Sequence, residues 1–152
     1  MEIFEADKSR VGEVDKFYRE QGYHGSWSDD ERAFVCTDDG VVVGSVKIEF
    51  NQAVGVLRGM YIDKNYQNQG IGTRLAEFIE PVLNDITVFC VPLIEAANFY
   101  KRIGFVETSE IICPTFLVER CKKYRADEYE ITIMSRAPTL NGQRLISTSE
   151  FN

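Results

Sequence analysis

A glycine-bearing turn between an apolar run and a helical pattern is the feature that most restricts how this chain can fold. The apolar run ends with Met60-Tyr61-Ile62, and the turn extends over Gln67–Thr73. The segment Leu75–Ile79 follows, and its apolar positions recur at helical spacing. A glycine turn between a strand and a helix N-terminus presents several backbone N–H groups to one anion. The sequence therefore predicts a strand–turn–helix unit that can hold a phosphate.

The residues before this turn predict antiparallel strands with one inserted helix. Two β-rich runs, Ala33–Thr37 and Val41–Phe50, flank Asp38-Asp39-Gly40, and an Asp-Gly pair in that position is a strong hairpin signal. The other predicted elements are a strand at Glu2–Ala6, an amphipathic helix from Ser9 to Gln21 with Gly22 at C′, a loop over Tyr23–Asp30 and a strand over Val54–Ile62.

After the turn, helices alternate with strands. The predicted elements are a helix over Gly72–Leu83 that Pro81 kinks or closes, a strand over Ile86–Val91, a helix over Ile94–Ile103 stopped by Gly104, a strand from Phe105, a helix over Thr115–Tyr124 after Pro114 and a last strand over Tyr129–Met134. Residues 138–152 are polar and predict a poorly ordered tail, which leaves residues 1–137 as one domain.

Composition narrows the class of protein. The 152 residues, 44% of them hydrophobic and 27% charged, suit one globular domain. No apolar run approaches the roughly 20 residues of a membrane span, and the N-terminus lacks the pattern of a signal peptide, so we expect a cytoplasmic protein without a membrane partner. The net charge of −7 argues against a nucleic-acid partner. That charge either favours a cationic substrate or serves solubility.

The cysteines and the glycine pattern exclude several kinds of site. Cys36, Cys90, Cys113 and Cys121 form no CxxC pair, so no metal site is expected. Cys36 and Cys90 lie in apolar runs and are predicted to be buried. The turn has no Lys-Ser/Thr pair after its glycines and no GxGxxG pattern, which argues against a nucleotide-hydrolysing P-loop and a dinucleotide fold.

Two motifs together resemble a known family. The pattern Gln67-x-x-Gly70-x-Gly72 follows an Asp-x-x-Tyr segment, and a later helix ends with Phe99–Phe105, whose letters are FYKRIGF. This order and spacing resemble the GNAT superfamily of acyl-CoA-dependent N-acetyltransferases. The resemblance implies a single α/β domain with a central mixed, mostly antiparallel, splayed sheet flanked by helices. It covers about Glu2–Arg136, and the helix at Thr115–Tyr124 lies outside the family's common core.

The resemblance also implies a site for acetyl-CoA as acyl donor. Main-chain groups of Met60, Tyr61 and Ile62 would pair with the pantetheine arm. The residues expected around the pyrophosphate are Gln67, Asn68, Gln69, Gly70, Ile71, Gly72 and Thr73, with backbone amides from Asn68 to Thr73 as donors. Tyr100 matches the family's general acid, which protonates the departing thiolate; the alternative is a core aromatic. Leu93 stands where the family often has an asparagine. The leucine cannot make the side-chain contact to the cofactor arm that this asparagine would make.

The general base and the acceptor site are less defined. Glu49, on the strand before Val54, is the best candidate base, although it could equally be an exposed hairpin residue. His24 could also act as base, and His24 and Trp27 are candidate acceptor-binding residues. The alternative is a solvated loop anchored by one tryptophan. Arg58 could instead bind an acidic group of the acceptor.

The predicted function is direct transfer of an acetyl group from acetyl-CoA to an amine of a small molecule or peptide. Three alternatives remain open: a non-catalytic acyl-CoA-binding or regulatory module, a transferase that uses another acyl-CoA and, more remotely, a nucleotide-binding interaction protein. A homodimer is compatible with the sequence, but nothing in it specifies the oligomeric state.

Overall fold

Seven strands form one open, mostly antiparallel sheet in the computed structural model, which describes residues 1–140 and 143–144. The strands are β1 (Glu2–Glu5), β2 (Glu31–Asp38), β3 (Val41–Asn51), β4 (Val54–Ile62), β5 (Val88–Cys90), β6 (Val106–Glu107) and β7 (Met134–Arg136). Their order across the sheet is β1-β2-β3-β4-β5-β7-β6. The pairs β1–β2, β2–β3, β5–β7 and β6–β7 are antiparallel. The predicted fold class is confirmed.

Helices connect the strands in the same described part of the chain. The α-helices are α1 (Val11–Glu20), α2 (Ile71–Leu83), α3 (Ala97–Arg102) and α4 (Thr115–Ala126). Short 3₁₀ turns occupy Lys8–Arg10, Lys64–Tyr66, Ile94–Ala96 and Glu110–Ile112. None of the described helices is both long enough and apolar enough to cross a membrane.

The chain divides into two compact units, and the first contains Met1–Asn51 and Leu57–Val82. Helix α1 in this unit buries Val14, Phe17 and Tyr18, which recur at helical spacing in the sequence. These side chains share a cluster with Ala6, Trp27, Ala33 and Val35. The periodicity of α1 therefore predicts three buried positions correctly, whereas Val11, which has the same helical spacing, is 38% exposed.

The second unit contains Gln52–Val56 and the chain from Leu83 onward. Its core joins Val56 of β4, Phe89 of β5 and Ile133 to Leu117 and Cys121, which lie four residues apart on α4. Phe116 packs against the same cluster. The predicted helix is confirmed, and its apolar side packs on the core of this unit.

The turn between β2 and β3 is the predicted Asp-Gly hairpin. Asp38 pairs with Val41, and the two residues between them, Asp39 and Gly40, have φ angles of 53° and 80°. Two left-handed central residues characterise the hairpin turn that follows the natural twist of the strands.

Several predicted boundaries are wrong. The last strand is Met134–Arg136 and not Tyr129–Met134, because Tyr129 donates its N–H to Tyr124 O (3.0 Å) at the end of α4. Ile131 forms only an isolated bridge with Leu93. The α-helix predicted over Ile94–Ile103 is confined to Ala97–Arg102, because a 3₁₀ turn precedes it.

Helix α2 continues through Pro81 to Leu83, so this proline does not close the helix. In the predicted tail, Thr139–Leu140 (β8) and Gln143–Arg144 (β9) form a separate antiparallel pair. Residues 141–142 and 145–152 lie outside the described residues. The division into residues 1–137 and a tail stays a prediction.

Candidate active site

The glycine turn ends at Gly70, directly before α2. Asn68 and Gly70 have φ angles of 63° and 78°, and Gly70 O accepts the N–H of Arg74 at 3.0 Å. This bond starts the helix at Ile71, one residue before the predicted start. The N–H groups of Ile71, Gly72 and Thr73 lie in the first turn of α2, where no carbonyl group of the helix accepts them. The turn therefore presents donors at the positive end of the helix dipole.

Main-chain and side-chain hydrogen bonds hold this turn at the end of β4. Asp63 donates its N–H to Val43 O (2.8 Å), and its carboxylate accepts the N–H of Asn65 (2.9 Å). Gln67 Nε2 donates to Ile62 O at 3.1 Å. Residues 67–70 are exposed, and no described atom lies within 4 Å of the position that a Cβ on Gly70 would occupy. An exposed, ordered turn with open space beside Gly70 fits a phosphate ligand.

The predicted pantetheine strand begins just after a left-handed glycine. Gly59 has a φ of 62°, which interrupts the extended backbone of β4 before Met60, Tyr61 and Ile62. The buried Tyr18 hydroxyl donates to Gly59 O at 2.8 Å. Tyr61 is exposed, while Met60 and Ile62 are half-buried.

Four charged side chains meet on one face of the first unit. Lys47 Nζ lies 3.3 Å from Glu31 Oε1, and Arg58 Nη1 lies 3.4 Å from Glu49 Oε1 and 3.7 Å from Glu31 Oε2. Glu31, Lys47 and Glu49 are only 4%, 1% and 4% exposed. Burial lowers the pKa of Lys47, while the Glu31 carboxylate acts in the opposite direction. The four side chains therefore form three buried or half-buried ion pairs, two of them with Arg58.

Glu49 is therefore buried, and the alternative that it is an exposed hairpin residue is wrong. Its carboxylate is ion-paired with Arg58 on the neighbouring strand. Its predicted role as general base stays a prediction.

Three tyrosines pack beside these charges. The Tyr18 and Tyr23 ring centroids are 5.1 Å apart, and Tyr61 lies 6.1 Å from Tyr18 and 5.4 Å from Tyr23. A Schellman motif at the end of α1 produces the first contact: Tyr23 N–H bonds to Tyr18 O (2.9 Å) and Gly22 N–H bonds to Arg19 O (3.0 Å). Burial raises the pKa of Tyr18 far above its usual value.

The two predicted acceptor residues differ in environment. His24 is exposed. Trp27 is 6% exposed, and its Nε1 donates to Glu31 O at 2.8 Å. The Lys8 ammonium lies 4.3 Å from the centre of its ring. Trp27 thus anchors the loop, as one of the two sequence interpretations expects, and contact of either residue with an acceptor stays a prediction.

Tyr100 lies on α3 in the second unit, held by another Schellman motif. Phe105 N–H bonds to Tyr100 O (3.0 Å), Gly104 N–H bonds to Lys101 O (3.1 Å), and Gly104 has a φ of 99°. The Tyr100 ring meets the Phe99 and Phe105 rings edge-on, at 5.2 and 6.1 Å. The sequence pattern Tyr-x-x-x-Gly-Phe thus forms a helix C-cap that fixes the orientation of this tyrosine. Leu93, in the same unit, is exposed.

The sequence interpretation missed Lys47 and the central position of Glu31. A signal existed for Lys47, because Ser45, Lys47 and Glu49 alternate with apolar residues and so share one face of β3. Glu31 gave no such signal within the acidic run 29–31. Cys36 and Cys90 are buried as predicted. The described residues contain no group of three or more metal-ligating side chains.

The open sheet and the exposed glycine turn at a helix N-terminus define an α/β domain of a kind that can hold a phosphate ligand. A family model described as "Acetyltransferase (GNAT) domain" matches residues 29–107, more than half of the chain. The protein therefore belongs to the GNAT acetyltransferase family, whose class of activity is acyl transfer. No curated protein sequence matches the chain significantly.

Solved structures share the fold at low sequence identity. Ribosomal-protein-S18-alanine N-acetyltransferase from Escherichia coli aligns with a TM-score of 0.66 and 19% identity, over 96% of this chain and 99% of its own. An acyl-CoA N-acyltransferase from Pseudomonas aeruginosa gives 0.67 and 14%, over 90% and 99%. N-acetylglutamate synthase from Neisseria gonorrhoeae, complexed with coenzyme A and N-acetyl-glutamate, gives 0.65 and 21% over 89% of this chain. This chain spans about a third (34%) of that synthase.

Proposed function

We propose that the protein is an N-acetyltransferase that transfers an acetyl group from acetyl-CoA directly to an amine of a small molecule or peptide. The observation that carries the proposal is the exposed turn ending at Gly70, which lies inside the segment 29–107 that matches the acetyltransferase family. The solved structure of N-acetylglutamate synthase with bound coenzyme A supports the choice of donor.

The residues of the turn suit the CoA pyrophosphate. Backbone amides from Asn68 to Thr73 would donate to its oxygens, and the helix dipole of α2 favours the negative charge. The open space beside Gly70 leaves room for the phosphates to approach the backbone. Main-chain groups of Met60, Tyr61 and Ile62 would bind the pantetheine arm as an added strand.

Two side chains are proposed to handle protons. Acetyl-CoA supplies the acetyl group as a thioester, and the amine must be neutral to attack it. Glu49 would receive the proton of the amine, directly or through water, and Tyr100 would give its hydroxyl proton to the departing thiolate. His24 and Trp27 are proposed to lie on the acceptor side.

The first test is a panel of amines incubated with the protein and acetyl-CoA, with thiol release measured and the product identified by mass spectrometry. The panel should include a polyamine, an aminoglycoside, an amino acid, a peptide with a free N-terminus and a lysine peptide. Amide formation with stoichiometric CoA release would support the proposal. Acetyl-CoA binding without transfer to any amine would favour the non-catalytic module. Faster turnover with another acyl-CoA would show that this acyl-CoA, and not acetyl-CoA, is the donor.

A matched pair of variants tests the pyrophosphate site separately. Gly70→Asp and Gly70→Asn have the same size, and both residues tolerate a left-handed backbone, but only aspartate adds a negative charge beside the phosphates. At a few ångströms this repulsion is worth from about 1 to 4 kcal/mol, so we expect at least about fivefold weaker CoA binding for the aspartate variant. Pantetheine lacks the pyrophosphate and should bind both variants equally. Equal CoA affinity of the two variants, measured by calorimetry, would exclude this turn as the pyrophosphate site.

A further inference from the structure

The loop 23–30, which joins α1 to β2, is tied to the first unit by specific polar contacts. Trp27 N–H donates to Asp15 Oδ1 (2.8 Å), and the Trp27 indole donates to Glu31 O (2.8 Å). Ser28 donates to Glu31 Oε1 through its N–H (3.0 Å) and its hydroxyl (2.9 Å). Lys47 Nζ donates to Ser26 O at 3.3 Å. The loop therefore has a defined position on the sheet.

Lys47 and Glu31 are the centre of these contacts. Both side chains are buried, and Glu31 Oε1 accepts from Lys47 and from Ser28 at once. The Lys47 ammonium also lies 5.0 Å from the Tyr18 ring centre and 5.1 Å from that of Tyr23, at the start of the loop. A cation between two aromatic faces and a carboxylate holds all three groups in place.

Stability alone does not explain this ion pair. Well-packed apolar side chains in place of a buried ion pair often leave a protein equally or more stable. An apolar pair would, however, lose the hydrogen bonds to Ser26 O and to Ser28. Apart from the ion pair between Glu31 and Arg58, the hydrogen bonds that an apolar pair could not replace are therefore those that fasten the loop.

The loop also reaches the strand segment proposed for the pantetheine arm. The Tyr23 ring packs 5.4 Å from the Tyr61 ring, and Tyr61 lies between Met60 and Ile62 on β4. A loop fixed at this place forms a wall beside the proposed donor strand, within the same unit. An amine that approaches the thioester would meet this wall.

We infer that Lys47, paired with Glu31, is a positioning residue that fixes the loop 23–30 as the acceptor-side wall and so sets the KM for the amine. This inference rests on the proposed function. Neither residue needs to touch the reacting atoms, because both act through the backbone and the aromatic side chains of the loop.

The test uses Lys47→Met, the double variant Lys47→Met/Glu31→Gln and the control Lys16→Met. The double variant removes both charges together, so that no single buried charge is left unpaired. Lys16 loses the same charge on the exposed surface of α1, where it pairs only loosely with Glu20 (3.5 Å). Far-UV circular dichroism and cooperative urea unfolding identify the variants that are folded.

Two readouts are expected to move together in the folded variants. Trp27 is the only tryptophan in the chain, so its emission reports the position of the loop; we expect a red shift in the Lys47 variants and none in Lys16→Met. With the panel amine that the wild type converts fastest, we expect the KM for the amine to rise about tenfold or more, equivalent to at least about 1.4 kcal/mol. The KM for acetyl-CoA should stay within about twofold.

Unchanged emission of Trp27 in a folded double variant would overturn the inference, because the pair would then not hold the loop. An emission shift with an unchanged KM for the amine would also overturn it, because the loop would not be the acceptor wall. A wild type that acetylates no amine would instead refute the proposed function, and with it the role in acceptor binding. The emission data would still decide whether the pair fixes the loop.

Discussion

Replacing Gly59 with alanine is expected to destabilise the protein by about 1–4.5 kcal/mol. The φ angle of Gly59 is 62°, in the left-handed region. An L-residue there costs about 1–2 kcal/mol, of which about 0.4–1 kcal/mol is regained because alanine restricts the unfolded chain. The conformational part of the effect is therefore about 0–1.5 kcal/mol.

The larger part of the expected effect comes from packing against Tyr18. A Cβ on Gly59 would lie 3.2 Å from both Cε1 and the hydroxyl oxygen of Tyr18, which is closer than ordinary van der Waals contact. Tyr18 cannot easily withdraw, because it is fully buried, donates to Gly59 O at 2.8 Å and lies 3.0 Å from Ser45 Oγ. Overpacking of this kind costs about 1–3 kcal/mol.

Gly70→Ala is the matched control, because it changes the backbone in the same way without the packing. Its φ is 78°, and no described atom lies within 4 Å of the added Cβ. Urea unfolding of both variants without ligand, followed by Trp27 fluorescence and far-UV circular dichroism, gives the two free energies of unfolding. We expect Gly59→Ala to be less stable than Gly70→Ala by about 1–3 kcal/mol. A difference below about 0.5 kcal/mol would refute the reasoning that Tyr18 is fixed.

Three further predictions address Tyr100, Glu128 and Tyr18. Tyr100→Phe should lower kcat about 100-fold or more while the KM for acetyl-CoA changes little, with the exposed Tyr129→Phe as control; equal turnover would remove Tyr100 from the mechanism. Glu128 has a φ of 68° just after α4, so Glu128→Gly should raise the free energy of unfolding in urea by about 1 kcal/mol. Burial raises the pKa of Tyr18 in the folded protein, so the folded state favours the neutral phenol. The contribution of this phenol to the free energy of unfolding is fully present below the unfolded pKa of about 10 and is lost as the pH rises above it. The wild type should therefore lose about 1.4 kcal/mol per pH unit above pH 10 relative to Tyr18→Phe, and parallel pH profiles would contradict this.

The motifs that the sequence predicts well are those built from neighbouring residues. Gly22 and Gly104 each end a helix through hydrogen bonds that span six residues, so the local sequence is sufficient to specify the cap. The Asp39-Gly40 turn is specified in the same way. The turn at Gly70 is also specified by neighbouring residues, because the turn and the start of α2 are adjacent in the chain.

The last strand shows where local patterns mislead. Tyr129–Met134 alternates in polarity and so satisfies the strand pattern. In the structure Glu128 adopts the left-handed conformation and completes the cap of α4, which draws Tyr129 into the helix end. A glutamate at that position carries no sequence signal for a left-handed residue, since glycine is the usual choice. The strand consequently starts only at Met134.

The charged cluster depends on a β-bulge that no local pattern announces. From the turn, Asp38 pairs with Val41 and Thr37 with Val42, and an unbroken register would place Glu31 opposite Ile48. The register shifts by one residue between Cys36 and Thr37, so Glu31 instead pairs with Glu49 and Ala33 with Lys47. A shift of one residue exchanges the two faces of a strand. The bulge therefore places the Glu31 carboxylate on the same face as Lys47 and Glu49, where a regular hairpin would have turned it to the other face of the sheet.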